Sequence, residues 1–387
     1  VTIPMMKKTG YPGEFAGAVE AAASTGGQIM PPIMGAAAFI MAEMTGFEYS
    51  KIIVRAILPA FLYFLGIFLG VHFKAKKLGL KGLPREELPK WGKLLPKIYL
   101  LVPLVLLVYM IVAGETMAKS AIYATLAAIA VSLINKDDRM TPTKFVNGLE
   151  NGGKNCISIG IACGIAGIIS VCITMTGLGG KLITYVVSLS NGHLIIALFL
   201  TMICCIVLGM GVPTTANYII MASTCAPILI NGMGMHVLAA NMFVFYFGIV
   251  ADITPPVALA AYAGSAIAKA PPMKTAFNAT RLAIAAFIIP YIFAFNNAMI
   301  FVGDDVTVWS VASITISATL GMLSIASGLM GYLIHDLKWI SRIALIAGGL
   351  LMIIPGTVSD LAGFAVLAAI FVLQTIENKK EKKAASV

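Results

Sequence analysis

The sequence predicts an all-α, polytopic integral membrane protein with inverted-topology repeats that contain re-entrant hairpins and broken helices. Three observations predict it. Hydrophobic residues fill 59% of 387 positions and charged residues only 11%, with a mean hydropathy of +0.94, whereas soluble chains carry roughly 25% charge. Apolar runs close to the roughly 20 residues that cross a bilayer recur at 52–73, 98–112, 120–134, 156–177, 194–210, 278–301, 309–334 and 358–376. Finally, Gly26-Gly27-Gln28-Ile29-Met30-Pro31-Pro32-Ile33 and Val250-Ala251-Asp252-Ile253-Thr254-Pro255-Pro256-Val257 each interrupt an apolar run with a polar patch and a Pro-Pro pair. Paired interruptions in two halves of a membrane chain mark repeats built around broken helices. The alternation of barrel strands is absent, so about eleven helical crossings or re-entrant pieces are expected.

Residues 1–73 are expected to hold the later part of a first repeat. Half-length helices at 14–24 and 31–45 flank the first break, because proline removes a donor and glycine lowers helix propensity. Neither half spans the bilayer by itself, and unwound backbone at that depth must face protein or a water-filled cavity. The span 52–73 follows. Residues 74–154 supply basic loops and an out-and-back pair, 98–134, turning at Gly114-Glu115-Thr116. Residues 155–301 form a fuller second repeat: a re-entrant hairpin over 194–230 with its tip at Gly209 to Asn217, a broken helix over 236–268, and the span 278–301. Thr2-Ile3-Pro4 lines up with Cys225-Ala226-Pro227. The opening without an initiator Met fits a piece of a longer chain, which places the first hairpin tip upstream of Val1. Residues 302–387 read as an appended bundle with a turn near Pro355-Gly356 and a basic tail.

The net charge of +10 sits in blocks between spans, which argues against nucleic acid and for orientation signals. Lys74, Lys76, Lys77, Lys81, Arg85, Lys90, Lys93 and Lys97 form one block, Lys136, Arg139, Lys144 and Lys154 a second, and Lys379, Lys380, Lys382 and Lys383 a third. All three are expected on the cytoplasmic side. The span 52–73 then runs inward, while 278–301, preceded by Lys269 and Lys274 and ending at Gly303-Asp304-Asp305, runs outward. Equivalent spans in opposite directions are what inverted repeats require.

The two breaks and the hairpin tip form the candidate site: Thr25, Gly26, Gly27, Gln28, Pro31 and Pro32 in one copy, and Gly211, Pro213, Thr214, Thr215, Asn217, Asp252, Thr254, Pro255 and Pro256 in the other. Carbonyls and hydroxyls at Thr25, Gly26, Thr214, Thr215 and Thr254 are hard oxygen ligands suited to Na⁺, and half-helix N-termini suit an anionic solute. The bland alternative is a pair of proline kinks. Asp252 is an intramembrane carboxylate, a costly group that usually has work, and it matches Gln28 in the first copy. Glu20 and Glu43 read as snorkelling or interhelical groups, Arg55, Arg281 and Asp360 as interfacial ones, and His193 and His236 as polar edges of the hairpin. The six cysteines, Cys156, Cys163, Cys172, Cys204, Cys205 and Cys225, lack metal-ligand spacing and read as packing residues. No zinc pair, nucleophile elbow or Walker loop is present, so the chain is not expected to be an enzyme or to need a cofactor beyond a coupling ion.

Several stretches resemble a known family. Gly177-Leu178-Gly179, Leu208-Gly209-Met210-Gly211-Val212-Pro213-Thr214-Thr215, Phe243-Val244-Phe245-Tyr246-Phe247-Gly248-Ile249 and Ile253-Thr254-Pro255-Pro256-Val257-Ala258-Leu259-Ala260-Ala261-Tyr262-Ala263 are similar to the large membrane subunit of tripartite ATP-independent periplasmic (TRAP) transporters. They are particularly similar to the fused small-plus-large permeases that work with TAXI-type binding proteins. The likeness covers roughly residues 1–301. It implies a secondary transporter of a bacterial or archaeal inner membrane, with a cytoplasmic C-terminus. A periplasmic solute-binding protein would deliver an organic anion, typically a carboxylate, and Na⁺ would drive uptake. It also implies a small membrane subunit, or its fused equivalent. A non-transporting scaffold or a subunit of an energy-converting complex is the alternative, disfavoured because mid-membrane Lys, Glu and His are scarce.

Overall fold

The computed structural model describes residues 1–82, 91–134, 139–303, 306–353 and 356–384. Arg85, Lys90, Lys136, Asp304, Asp305 and Pro355 lie outside the described residues, as do the side chains of Lys93, Cys163, Lys379, Lys380, Lys382 and Lys383. The described chain is all-α.

A short helix α1 (Thr2–Lys8) leads to α2 (Gly13–Gly26) and α3 (Ala36–Thr45), the two halves of the first broken helix. The left-handed Gly46, at φ +72°, turns the chain into α4 (Tyr49–Lys77). Next come α5 (Trp91–Leu94) with a 3-10 extension, the hairpin of α6 (Val102–Val112) and α7 (Met117–Ile134), then α8 (Pro142–Met175) and α9 (Leu178–Ser190). The second repeat has α10 (Leu194–Gly209) and α11 (Thr214–Thr224) as its hairpin, then α12 (Val237–Val250) and α13 (Leu259–Ala268) as its broken helix. Its span divides at Ala283 into α14 (Pro272–Leu282) and α15 (Ile284–Phe295). Finally α16 (Val308–Met330), α17 (Trp339–Leu351) and α18 (Thr357–Ala384) form the last bundle. Among the described residues, five helical stretches are long and apolar enough to cross a membrane.

The sequence places the breaks correctly and their edges less well. The first runs from Gly27 to Gly35, so Thr25 and Gly26 are in the last turn of α2, and α3 starts five residues after the expected 31. Gly26 ends α2 with Tyr63 packed so closely that only glycine fits: a methyl there would fall 2.2 Å from the ring. In the second copy a 3-10 turn (Ala251–Ile253) prolongs α12, so Asp252 is in a tight turn and the unwound part is Thr254 to Ala258. Both Pro-Pro bonds are cis.

The broken helices lie against each other in opposite directions. Half-helix α2 packs on α13, and α3 packs on α12. At the α2–α13 crossing, Gly17 and Gly264 bring backbones into contact, since a methyl on Gly264 would stand 2.6 Å from the Gly17 carbonyl. Small residues that permit such approach take the place of hydrophobic sorting, which a bilayer does not supply. Further contacts group the helix ends. Lys7 Nζ donates to Ala268 O at 2.8 Å, Lys77 pairs with Asp336 at 3.1 Å, and at the other end of α4 Glu48 and Lys51 share a surface pocket with Phe301. These contacts group the end of α4 at Lys77 with Asp336, and its opposite end at Glu48 with Phe301.

The expected appended segment packs along α4 through α16, and its own small core joins Leu337, Leu345, Met352, Leu367 and Ile370. Asp360 holds it together rather than facing the interface freely: Ser317 Oγ donates to its carboxylate at 2.6 Å. The described cysteines are free thiols; Cys205 and Cys225 are buried, but Cys156 and Cys172 are exposed on α8 and do not pack the interior.

Candidate functional site

The last turns of α12 organise the site. On one side stand the first break and α4. Thr25, 4% exposed, encloses a small void with Ile29, Tyr63, Tyr246, Ile249, Val250 and Ala286. Tyr63 Oη donates to Ala22 O at 2.7 Å, while the buried Tyr246 hydroxyl has no partner among the described residues. The first break therefore meets the last turns of α12, just ahead of the second break, with Thr25, Tyr63 and Tyr246 as the polar groups there.

On the other side stands the hairpin tip. Asn217, fully buried in the first turn of α11, donates from Nδ2 to Gly248 O at 3.0 Å. Its Oδ1 is buried and unpartnered. Glycine is required beside this amide at Gly209, where a methyl would fall 2.6 Å from Nδ2, while a methyl at Gly248 would only touch it at 3.4 Å. Gly211, left-handed at φ +76°, turns the tip beside the second break, where a methyl on it would stand 3.8 Å from Val257. The asparagine thus fastens α11 to the broken helix, with the end of α10 packed closely beside it. A buried carbonyl-type oxygen left without a donor costs about 1–3 kcal/mol, and a cation would remove that cost.

Thr214 and Thr215 follow Pro213 at the N-terminus of α11, partly exposed. Among the described residues their hydroxyls have no hydrogen-bond partner, so their oxygens are open. Thr254 differs, for its hydroxyl donates to Val250 O at 2.8 Å and extends the end of α12, leaving oxygen lone pairs free. The Asp252 carboxylate is partly exposed and, among the described residues, takes no hydrogen bond or ion pair. Gln28 packs beneath Gly35, whose N–H donates to Gln28 O at 2.8 Å and closes the first break. Gly27, Pro31 and Pro32 form the exposed to half-buried wall of that loop, as Pro255 and Pro256 do in the second.

Sequence reasoning missed the clasps that hold the unwound loops. Tyr49 Oη donates to Pro32 O at 3.1 Å and accepts from Met34 N at 3.4 Å. In the second copy the corresponding work falls to Tyr262, which donates to Pro256 O, and to Thr280, whose hydroxyl reaches Ile253 O at 3.0 Å. Repeat matching cannot reveal these, because the clasps occupy unrelated positions in the two copies. Gly209 and Gly248 were visible as glycines without a visible reason.

The two arginines expected at the interface sit in different surroundings, and Arg55 Nε is buried without a hydrogen-bond partner among the described residues. Arg55 lies over Phe47 at 5.8 Å, and Phe47 is 5.9 Å from the His236 ring; His236 itself caps α12 by accepting from Leu238 N at 3.1 Å. Arg281 ends the polar part of α14, just before the wholly apolar α15. A larger cavity of about 490 Å³ between α10, α15 and α17 is walled by apolar side chains such as Phe199, Phe287 and Leu350. Its size exceeds that of the void beside Thr25, and Thr280 and Tyr291 bring hydroxyls but no charge to it.

Among the described residues no group of His, Cys, Asp and Glu is arranged to hold a metal ion. The candidate cation ligands are hydroxyl, amide and carbonyl oxygens, a donor set for a hard monovalent or divalent ion. Chemically, the arrangement can bind and release; no nucleophile with a general base stands at either break. No curated protein matches the chain. Residues 1–304 match the family model of the tripartite ATP-independent periplasmic transporter, DctM component.

Proposed function

The chain belongs to the DctM component family of tripartite ATP-independent periplasmic transporters, and from that premise we propose that it is a Na⁺-coupled uptake permease for an organic anion, most simply a carboxylate. Members of this family are transport permeases, not enzymes, and the protein is a multi-pass inner-membrane one that works with a periplasmic solute-binding protein and a small membrane component. The finer proposals are that the binding protein is of the TAXI type, that the small component is fused or separate upstream, and that the C-terminus is cytoplasmic. We assign the transport core to residues 1–73 and 155–301, the connecting pair to 74–154 and an extension to 302–387.

The observation that carries the ion assignment is the buried, unpartnered Asn217 Oδ1, set where the open hydroxyls of Thr214 and Thr215 begin the same helix. Unwound carbonyls of the second break supply further oxygen ligands, while half-helix N-termini favour the anion. Thr25, Gly26 and the first break contribute the matching half from the other repeat, with Asp252 as the negative charge nearest the second. Replacing Thr214, Thr215 or Thr254 by Val tests this: Na⁺-dependent uptake is lost while insertion is unchanged. Unaltered Na⁺ dependence in all three variants removes the assignment.

A further inference from the structure

Away from the breaks, three helices from different parts of the chain bring cations together where α4 ends. Lys77 Nζ lies 3.1 Å from Asp336 and donates to Gly331 O at 3.4 Å. Arg342, in the first turn of α17, donates from Nε to Gly328 O at 2.9 Å and from Nη2 to Leu329 O at 3.2 Å, closing the end of α16. The two cations flank one glycine: a methyl on Gly331 would be 3.2 Å from both Lys77 Nζ and Arg342 Nε. One turn back on α4, Lys74 sits 5.7 Å over the Phe15 ring, within the field of Lys77 and Arg281. Arg281 is brought to this end by its neighbour Leu282, which packs against Gly70 one turn before Lys74, and it lies in the positive field of Arg342.

Four cations converge, and the acids near them are Glu14 beside Lys74 and the 74% exposed Asp336. Arg281 is partly buried, and among the described residues it makes no hydrogen bond or ion pair. The surroundings fix the depth. A methyl on Gly70 would meet Leu282 at 2.8 Å, so α14 turns apolar level with the last two turns of α4. Trp339, stacked under Arg342 at 5.2 Å, is 68% exposed, and Ile340 is 81% exposed. Surplus cations beside an exposed Trp are features of the headgroup level of a bilayer.

We propose that Lys74, Lys77, Arg281 and Arg342 bind the phosphate of an anionic phospholipid whose acyl chains run down the exposed Trp339 and Ile340 face. Arginine supplies paired N–H donors for phosphate oxygens and lysine a point charge. The lipid would bridge the two repeats and the C-terminal bundle at one leaflet. A soluble phosphate meets the same charges but leaves the apolar face uncovered, so the lipid is the occupant argued for.

The test is native mass spectrometry of the full chain in detergent, titrated with phosphatidylglycerol or phosphatidylcholine. The wild type should retain phosphatidylglycerol preferentially. Lys74→Gln with Arg281→Gln removes two interfacial charges and should cut that retention about thirtyfold, leaving phosphatidylcholine unaffected. Arg281→Lys should keep the preference, and Lys76→Gln, an exposed neighbour outside the cluster, should not change it. Should the double variant not fold, as judged by its melting temperature, single Arg281→Gln gives the same reading at about fivefold. Equal retention of both lipids by the wild type, or an undiminished preference in the variants, overturns the proposal. Displacement of bound phosphatidylglycerol by millimolar inorganic phosphate overturns it too, by making this a soluble-anion site.

Discussion

Asn217→Ala separates a structural role for the hairpin-tip amide from an ion-binding one. The side chain donates one hydrogen bond, to Gly248 O at 3.0 Å, and leaves one buried oxygen unpartnered. Deleting the donor costs about 1–3 kcal/mol if the carbonyl is left unsatisfied, and deleting the orphaned acceptor returns a comparable amount. Without Na⁺ the two terms nearly cancel, so the variant should unfold close to the wild type. With Na⁺ they do not, because an ion that binds only the folded state stabilises it by about 2.7 kcal/mol at a hundred times its Kd. Thermal unfolding of purified protein in NaCl and in KCl at equal ionic strength reads the difference. The wild type should gain stability in NaCl and Asn217→Ala should lose most of the gain. The reasoning is refuted if the variant is stabilised by Na⁺ as much as the wild type, or if it is already several kcal/mol less stable in KCl.

Three other outcomes are expected. Gly264→Ala at the α2–α13 crossing drives a methyl to 2.6 Å from the Gly17 carbonyl; backbone cannot give way cheaply, so a loss of about 1–3 kcal/mol should show as a lower melting temperature. Thr214→Val and Thr215→Val lose no hydrogen bond seen among the described residues and should melt with the wild type, whereas Thr254→Val gives up the bond to Val250 O at 2.8 Å and should lose about 1 kcal/mol; the same melts compare them. Asp336→Asn breaks an ion pair whose acid is 74% exposed, so it should shift stability by less than about 1 kcal/mol and even less in high salt, measured by unfolding at two ionic strengths.

The architecture was legible because its causes are local. Pro-Pro and Gly-Gly disrupt helices wherever they fall, and length with hydropathy marks a crossing, so both breaks, the hairpin and α4 were placed from residues. The edges were not. Gly26 was read as unwound from its propensity, but it lies in the last turn of α2, and the need for glycine there comes from Tyr63, 37 residues away in sequence. Asp252 was read in an open break, while the chain carries a 3-10 turn through it. The span beginning at 278 proved to start at Pro272, because the polar α14 raises no hydropathy signal. In the site, Asn217 and the threonines were found as polar residues in apolar surroundings. The clasps Tyr49, Tyr262 and Thr280 were not, since a tyrosine or threonine on an apolar helix looks like ordinary packing until its partner carbonyl is placed. Of the cationic cluster, Lys74 and Lys77 were read as orientation signals, Arg281 as an interfacial group and Arg342 not at all, because its members come together through tertiary packing alone.

The central claim is that the second hairpin tip and the two breaks couple an anion to Na⁺. Uptake of radiolabelled carboxylates into proteoliposomes tests it most directly, with the permease, its small component and its solute-binding protein, with and without an inward Na⁺ gradient. Accumulation that needs both the gradient and the binding protein, and that Thr214→Val abolishes, is the result expected. Accumulation that proceeds equally without the Na⁺ gradient would contradict the account.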